Sequence, residues 1–375
     1  MLFRGGYLKL FLQNCSRFLS LSFAVAMMSL SANAKVCINS SSYDKMFGSS
    51  LRSDILGRSH SMALESEKFA DYSTFTSTAD IELPDALRKA IDQGCTVIVG
   101  IYTSRECLLA GPILKEKKVA LLSPTCGTDE LRKFSPFVRT GVPSIAEYSR
   151  QVADIIKKSP KSEVIVFHQP AELFSEISFR EFKARFGREF TTVSLDRDGV
   201  MPDAVLNQIV NENKKGPKTF VFFTYPLVSA KVVERLDEKQ GVSLTTTIVG
   251  SSSWAFDVSV FKTVLGALLK AKSVLVPDLV DWDSIMKSDF AVKYRARFGE
   301  SPLGIHFISY DITRIAVRCF KKAVAGHRVF AAENFEACLV NDRHQGLSGP
   351  IVFDKESPFA LRKVNFPDFR RRLAL

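Results

Sequence analysis

The chain has 375 residues and a formal net charge of +11; 46% of its residues are hydrophobic and 24% are charged. These proportions are ordinary for a globular protein and exclude a disordered chain or a membrane-embedded body. At roughly 100–200 residues per domain, the length predicts two domains. The basic residues are spread along the chain and no nucleic-acid-binding module is visible, so we expect no nucleic-acid partner.

Residues 1–34 have the organisation of an export signal. Three basic residues are their only charges, residues 18–30 form an apolar run, and small residues stand at Ala32 and Ala34. This order predicts cleavage between Ala34 and Lys35. The apolar run is shorter than the roughly 20 residues of a membrane-spanning helix, and no cysteine follows the cleavage site to carry a lipid. We therefore expect no stable membrane insertion after signal removal, and a secreted protein that an outer membrane retains in the periplasm.

The sequence after the signal alternates short β-rich runs with longer helical patterns. Residues 96–102 are continuously apolar and β-branched, which is typical of a buried strand in a parallel sheet. The helix predicted at 83–93 has Pro84 in its first turn and Gly94 just after its end, in line with the preferences of proline and glycine. The first series of predicted elements is, in chain order, strand 36–39, helix 53–69, strand 72–78, helix 83–93, strand 96–102, helix 105–117 and strand 119–123.

A second series begins after the extended segment at residues 139–143. Its predicted elements are helix 144–158, strand 164–167, helix 172–187, strand 191–195, helix 202–214, strand 219–224, helix 228–240, strand 245–250 and strand 274–277. Helices at 284–298, 304–325 and 331–339 follow, and a turn with a strand at 346–354 closes the pattern. Strand–helix alternation with short links predicts an α/β fold of two doubly wound parallel-sheet lobes.

Polar and aromatic side chains follow the predicted strands at their carboxyl ends, where open parallel sheets bind ligands. The candidate ligand-binding residues are Thr103, Ser104, Thr125, Cys126, Thr128, Tyr225 and Ser252. Ser104 stands at a helix start, where it either caps the helix or helps the helix amides to bind a ligand anion. Tyr225 is equally consistent with packing between the lobes. Cys126 is more consistent with a small buried residue than with a nucleophile.

Six cysteines remain after cleavage, and an oxidising compartment permits them to pair. They are Cys37, Cys95, Cys107, Cys126, Cys319 and Cys338. Six cysteines allow 15 pairings, among which the sequence does not choose. No group of cysteines and histidines has the spacing of a zinc site, so we expect no metal. The acidic residues Asp278, Asp281 and Asp283 form either a cation or amine site or a solvated link between the lobes.

The sequence carries no motif of the known catalytic classes. A Gly-x-Ser-x-Gly elbow, a glycine-rich phosphate loop and a His-Glu-x-x-His helix are all absent. Ser104 and His168 would lie on opposite lobes, and no residue is identifiable as the acid that orients a catalytic histidine. We therefore expect no enzymatic activity, no catalytic residue and no cofactor.

Several short segments follow a known pattern in order and spacing. They are Val99–Ser104, Ala110–Ile113, Val119–Thr125, Phe137–Thr140 and Gly346–Asp354. Together they resemble the type I periplasmic solute-binding proteins, in particular the leucine/isoleucine/valine-binding group that serves ABC transporters. The resemblance implies two lobes joined by three crossovers. It assigns residues 35–140 plus 283–345 to lobe 1 and residues 141–282 plus 346–375 to lobe 2.

The resemblance also implies roles for single residues. Ser104, Thr125 and Cys126 correspond to positions that hold an amino-acid carboxylate, and Tyr225 lies near the aromatic wall of the family's site. The acidic residue that holds the ligand amine in amino-acid-binding members falls in the segment 249–253, which here contains only serines as polar residues.

Two functions follow from these observations. The first is a periplasmic protein that captures an amino acid, amide or short organic acid between two lobes and passes it to the inner-membrane permease of an ABC importer. The second is an envelope sensory or regulatory protein that uses the same fold to bind a protein partner or a signal ligand.

Overall fold

A computed structural model describes the greater part of the chain. The described residues are 34–41, 53–77, 82–159, 162–213, 216–325 and 330–373. The predicted export signal, apart from Ala34, lies outside them.

The first lobe is built on a five-stranded sheet in the order β2-β1-β3-β4-β5. All neighbouring strands in it are parallel. The strands are β1 Lys35–Asn39, β2 Tyr72–Phe75, β3 Cys95–Val99, β4 Ala120–Ser123 and β5 Val138–Thr140. Their helices are α1 Ser53–Ser66, α2 Leu83–Asp92 and α3 Ser104–Lys117, and a 3-10 helix spans Asp129–Phe134. The central strands are mostly apolar because helices cover both faces of the sheet.

The second lobe repeats this plan with another five-stranded sheet, in the order β10-β9-β8-β6-β7. The strands, again all parallel, are β6 Glu163–His168, β7 Thr191–Ser194, β8 Lys218–Phe223, β9 Thr246–Val249 and β10 Ser273–Leu275. The helices are α4 Ile145–Lys157, α5 Leu173–Phe186, α6 Asp203–Asn213, α7 Pro226–Glu238 and α8 Leu265–Lys270. Two 3-10 helices, Ser252–Ala255 and Ser259–Val264, precede α8. The predicted two doubly wound lobes are therefore confirmed.

The chain then returns to the first lobe. The helices are α9 Trp282–Ile285, α10 Asp289–Phe298, α11 Gly304–Val324 and α12 Ala332–Asn341, and β11 His344–Gly346, β12 Gly349–Phe353 and β13 Ala360–Leu361 form a small antiparallel sheet. The single helix predicted at 284–298 is wrong. It is broken because the Ser288 hydroxyl accepts a hydrogen bond from the Ala291 amide and starts a new helix, α10.

The packing of the last segment bears on where the lobes divide, which remains a prediction. The amides of Leu347 and Ser348 both donate hydrogen bonds to the Asp311 carboxylate on α11, at 2.8 Å each, so the β11–β12 turn is held by the first lobe. Phe369, next to the final helix α13 Arg370–Leu373, is buried in the core of the second lobe. This packing favours a third crossover at residues 362–368 rather than at the predicted boundary between residues 345 and 346.

Three disulfide bonds join the six cysteines, and all lie in the first lobe. They are Cys37–Cys95, Cys107–Cys126 and Cys319–Cys338. The first links neighbouring strands β1 and β3, the second links α3 to the segment after β4, and the third links α11 to α12. One of the 15 pairings that the sequence left open is thereby selected.

Candidate ligand-binding cleft

A narrow cleft lies between the lobes, where the carboxyl ends of both sheets face each other. It is lined by Tyr102, Thr103, Ser104, Thr125, Gly127, Val142, Pro143, Ile145, Tyr148, Phe174, Tyr225, Ser252, Ser253 and Phe256. Its volume is about 40 Å³. This is room for a few water molecules, which need roughly 10–15 Å³ each, and far below the 300–1,000 Å³ of an ordinary ligand site. The lobes are therefore in a closed arrangement.

The first-lobe wall begins where β3 ends and α3 starts. Gly100 has a φ of +89°, and a Cβ added there would lie 2.6 Å from the Asn39 carbonyl oxygen, so glycine is needed at this turn. Thr103 then caps α3, because its hydroxyl accepts a hydrogen bond from the Glu106 amide at 3.2 Å. The Glu106 carboxylate accepts hydrogen bonds in return from the Thr103 amide and hydroxyl. Thr103 is thus the N-cap, and the expectation that Ser104 caps this helix is wrong.

Ser104 instead connects two strand ends. Its hydroxyl oxygen accepts a hydrogen bond from the Gly127 amide at 3.1 Å. The Ser123 hydroxyl accepts hydrogen bonds from the amides of Thr125 and Cys126, at 3.2 and 3.0 Å. Three consecutive amides at the end of β4 therefore already have acceptors within the protein.

Thr125 also faces the cleft, while the two residues predicted beside it in the site do not line it. The Thr125 hydroxyl donates a hydrogen bond to the Tyr102 carbonyl at 2.6 Å. Cys126 is fully buried in its disulfide bond with Cys107, behind the cleft wall. Thr128 is 1% exposed and precedes the 3-10 helix at Asp129–Phe134. Cys126 and Thr128 support the wall from behind.

Aromatic rings form much of the second-lobe wall. Phe174 and Tyr225 stack with ring centroids 5.3 Å apart and an interplanar angle of 25°. Tyr225 also packs against the hydrophobic core of the first lobe, so it contributes both to the cleft and to packing between the lobes. Offset stacking of this kind fixes the orientation of both rings. A flat apolar surface results, on which a ligand ring or branched chain can lie.

The serine segment after β9 divides into buried and cleft-facing hydroxyls. Ser251 donates a hydrogen bond to the Thr224 carbonyl at 3.0 Å and lies 2.7 Å from the Ser253 hydroxyl. Trp254 donates through its indole Nε1 to the Ser229 hydroxyl at 2.9 Å. Among the described residues, the Ser252 hydroxyl has no hydrogen-bond partner, and it lines the cleft. Ser252 is thus the hydroxyl of this segment best placed for a ligand.

Comparison with known proteins accounts for this architecture. Residues 66–359 match the family described as "Receptor family ligand binding region". The chain belongs to this family. No curated protein is significantly similar to the chain in sequence.

Solved structures of solute-binding proteins have the same fold as this chain, the type I periplasmic binding fold. They confirm the resemblance seen in the sequence. The leucine-binding protein LivK of Thermotoga maritima superposes with a TM-score of 0.72 at 17% identity, covering 89% of this chain and 97% of that one. A solute-binding protein of an ABC transporter from R. palustris, in complex with benzoate, gives 0.73 at 14% identity, covering 89% and 92%. LivJ of Streptococcus pneumoniae, in complex with isoleucine, gives 0.70 at 15% identity, covering 89% and 95%.

The cleft between the two lobes of this protein has an uncharged surface. None of the described residues that line it is a lysine, arginine, histidine, aspartate or glutamate. Asp278, proposed as a partner for a ligand amine, lies elsewhere: its carboxylate accepts hydrogen bonds from the Val280 amide and the Trp282 indole, both at 3.0 Å. It also forms a buried ion pair with Arg372. Asp278 therefore anchors the link between the lobes.

A buried hydrogen-bond chain behind the cleft was not anticipated from the sequence. The Tyr102 hydroxyl lies 2.8 Å from His60 Nε2 and 3.0 Å from the Ser309 hydroxyl, and His60 Nδ1 lies 2.7 Å from the Thr313 hydroxyl. Complete burial lowers the pKa of His60 to about 4 and raises the pKa of Tyr102. Both groups are therefore neutral at pH 7. Their hydrogen bonds hold the Tyr102 ring in the cleft wall.

Among the described residues, no helix is long and apolar enough to cross a membrane. In the same residues, no group of three or more histidine, cysteine, aspartate or glutamate side chains is arranged to hold a metal ion.

Proposed function

We propose that this protein is a periplasmic solute-binding protein, which captures an amino acid, amide or short organic acid between its lobes. It then delivers the ligand to the inner-membrane permease of an ABC importer and catalyses no reaction. The observation that carries the proposal is the cleft at the facing carboxyl ends of two parallel sheets, where both lobes supply hydroxyl groups and aromatic rings. The export signal predicted at residues 1–34 supports the periplasmic location.

The ligand contacts that we propose combine both walls. Thr103, Ser104 and Thr125 contribute from the first lobe, and Tyr225 and Ser252 from the second. Cys126 and Thr128 act indirectly, by holding the first-lobe wall in place. Because a ligand of ordinary size does not fit in about 40 Å³, we propose that the lobes separate to admit it and close over it.

A thermal-shift screen of the mature protein against amino acids, amides and short organic acids tests this function. A ligand at 100 times its dissociation constant should stabilise the protein by about 2.7 kcal/mol, which raises the melting temperature by several degrees. The Tyr225→Ala variant should lose the shift because it lacks one ring of the Phe174–Tyr225 stack. The control variant Leu244→Ala should keep it, because Leu244 is 78% exposed and lies outside the cleft. The absence of a shift with every compound contradicts a solute-binding function.

The small volume of the cleft favours a second function, that of an envelope sensory or regulatory protein. A site that is filled by its own aromatic rings is consistent with a fold that transmits contacts to a protein partner instead of carrying a solute. If this protein binds only a protein partner and no small signal ligand, no compound in the screen shifts the melting temperature. The genes beside this one then lack the permease and ATPase of an importer.

A further inference from the structure

We propose that the cleft is selective for an uncharged ligand with an apolar or aromatic body, and that it discriminates against both ammonium and carboxylate groups. The inference rests on the proposed solute-binding function and narrows its three classes of ligand to the amides. It is based on which counterions and hydrogen-bonding groups line the cleft and could stabilise a buried charge.

An ammonium group finds no counterion in the cleft. None of the described lining residues is acidic, and the serines of the segment 251–253 carry no charge. The carboxylate of Glu106, behind Thr103, is 4% exposed and already accepts two hydrogen bonds from Thr103. Asp278 is paired with Arg372. A buried ammonium without an ionic partner is strongly unfavourable, so ligands that carry one should bind weakly.

A ligand carboxylate also lacks binding partners in the cleft. No cationic side chain is among the described lining residues. The amides that follow β4, at Thr125, Cys126 and Gly127, donate their hydrogen bonds to Ser123 and Ser104. At the start of α3, the Glu106 carboxylate occupies the position where the helix field favours a negative charge. A ligand carboxylate would therefore meet three satisfied amides after β4 and a neighbouring anion at the start of α3.

The remaining groups of the cleft, hydroxyls and aromatic rings, match a ligand that has a neutral polar group on an apolar body. Ser104 accepts a hydrogen bond from Gly127 and keeps its own hydroxyl proton for a ligand oxygen, and Ser252 offers a second hydroxyl from the opposite wall. The rings of Phe174 and Tyr225 provide the apolar surface. An amide, whose oxygen accepts and whose nitrogen donates, matches this arrangement without any buried charge.

Calorimetry with compounds of one carbon skeleton isolates the effect of charge. The series is 4-methylpentanamide (neutral), 4-methylpentanoate (anion), leucinamide (cation) and leucine (zwitterion), with benzamide and benzoate as an aromatic pair. We expect each neutral amide to bind at least about tenfold more tightly than its charged relatives, because only the charged groups lose hydration without a partner. Equal or tighter binding of leucine or of either carboxylate overturns the selectivity and leaves solute binding intact. If none of the six compounds binds, this inference is wrong, and the wider thermal-shift screen decides separately whether the protein binds a solute.

Two variants at Ser252 test the same inference from the protein side. Ser252→Asp adds a carboxylate to the cleft wall, and Ser252→Asn adds a neutral side chain of nearly the same size. We expect Ser252→Asp to bind leucinamide at least about tenfold more tightly than Ser252→Asn does, with melting curves to verify that both fold. If the two variants bind leucinamide equally, the cleft is not limited by a missing counterion and the inference is wrong. The measurements on the unaltered protein decide the matter if Ser252→Asp does not fold.

Discussion

The Ser104 hydroxyl accepts a hydrogen bond from the Gly127 amide at 3.1 Å and thereby joins the ends of β3 and β4. In this fold both strand ends contribute to the ligand site, so the bond determines the spacing of the first-lobe wall. Ser104 is 8% exposed, and its hydroxyl donates no hydrogen bond to another described residue. The same side chain therefore maintains the wall and remains available to a ligand.

Replacing Ser104 with alanine should reduce both stability and affinity. The buried Gly127 amide loses its acceptor, which costs about 1–3 kcal/mol of unfolding free energy. Loss of the hydroxyl should also weaken binding of the ligand found in the screen by roughly tenfold, the equivalent of about 1.4 kcal/mol. Urea unfolding and calorimetry on the same sample measure the two effects.

Ser288→Ala is the matched control for that experiment. Ser288 also accepts a hydrogen bond from a backbone amide, that of Ala291 at 3.3 Å, but it caps α10 away from the cleft. It should lose about 1 kcal/mol of stability and keep its affinity. If Ser104→Ala behaves in the same way, Ser104 has only a structural role.

His60 should make the protein less stable in mild acid. Its folded-state pKa is about 4, below the roughly 6.5 of an unfolded histidine, so only the unfolded chain takes up the proton between these values. Stability is therefore lost as the pH falls from about 6.5 to about 4, by roughly 2 kcal/mol at pH 5. The His60→Gln variant lacks this titrating group. The unfolding free energy of the unaltered protein minus that of His60→Gln should therefore decrease by roughly 2 kcal/mol from pH 7.5 to pH 5.

Comparing the two proteins at each pH cancels the other titrating groups. These include Asp311, whose pKa is raised by burial and which acts in the opposite direction. Denaturant unfolding at five pH values provides the data. A difference that is constant with pH means that the pKa of His60 in the folded protein equals that of an unfolded histidine, which contradicts the prediction.

The lobes should be farther apart in solution without ligand than in the closed arrangement described here. The cleft of about 40 Å³ is too small to admit a solute, so entry requires rotation about the links between the lobes. X-ray scattering should give a smaller radius of gyration when the ligand from the screen is added at saturation. Identical curves with and without ligand argue for two lobes in a fixed arrangement.

Two disulfide bonds of equal loop length should differ in their effect on binding. Cys107–Cys126 and Cys319–Cys338 each join residues 19 apart, so loss of either should destabilise the protein by about 3 kcal/mol. Only the first holds α3 against the segment that carries Thr125. The double alanine variant at 107 and 126 should therefore lose affinity, and the one at 319 and 338 should keep it. Equal affinities show that the cleft wall does not depend on its disulfide bond.

The fold was largely predictable because its elements have strong local patterns. The apolar run at 96–102 became β3 at Cys95–Val99, and the proline-started helix at 83–93 became α2 at Leu83–Asp92. The weakly patterned stretch around residues 252–270 contains two 3-10 helices and α8, none of which was predicted. Short elements of this kind depend on tertiary packing, such as that of Trp254 on Phe261, rather than on periodicity.

The site was predictable only where it follows strands. The rule that ligands bind at strand ends placed Thr103, Ser104, Thr125, Tyr225 and Ser252 in one cleft. It did not predict the aromatic rings that reach the cleft from helices and links. It also did not predict which hydroxyl groups already form hydrogen bonds within the protein. Those properties depend on contacts between residues far apart in sequence, as do the disulfide pairs.

Asp278 and Arg372 form a buried ion pair. Both side chains are at most 3% exposed, and the Arg372 guanidinium also lies 4.2 Å from the centre of the Trp282 ring. Arg372 belongs to α13, whereas Asp278 lies in the link that leaves β10, where its backbone pairs with Asn365 through two hydrogen bonds of 2.9 Å. The pair therefore fastens the end of the chain to two of the links between the lobes.

Asp278→Asn should destabilise the protein by about 3–5 kcal/mol, because Arg372 is left buried without a counterion. The control is Asp154→Asn, which breaks the exposed pair of Asp154 with Arg185 at 2.8 Å. That change should cost less than about 1 kcal/mol, since water already screens both charges. The double variant Asp278→Leu/Arg372→Met should recover most of the loss, because no charge then stays buried. Urea unfolding of the four proteins measures these differences, and similar losses for Asp278→Asn and Asp154→Asn contradict a buried pair at the links.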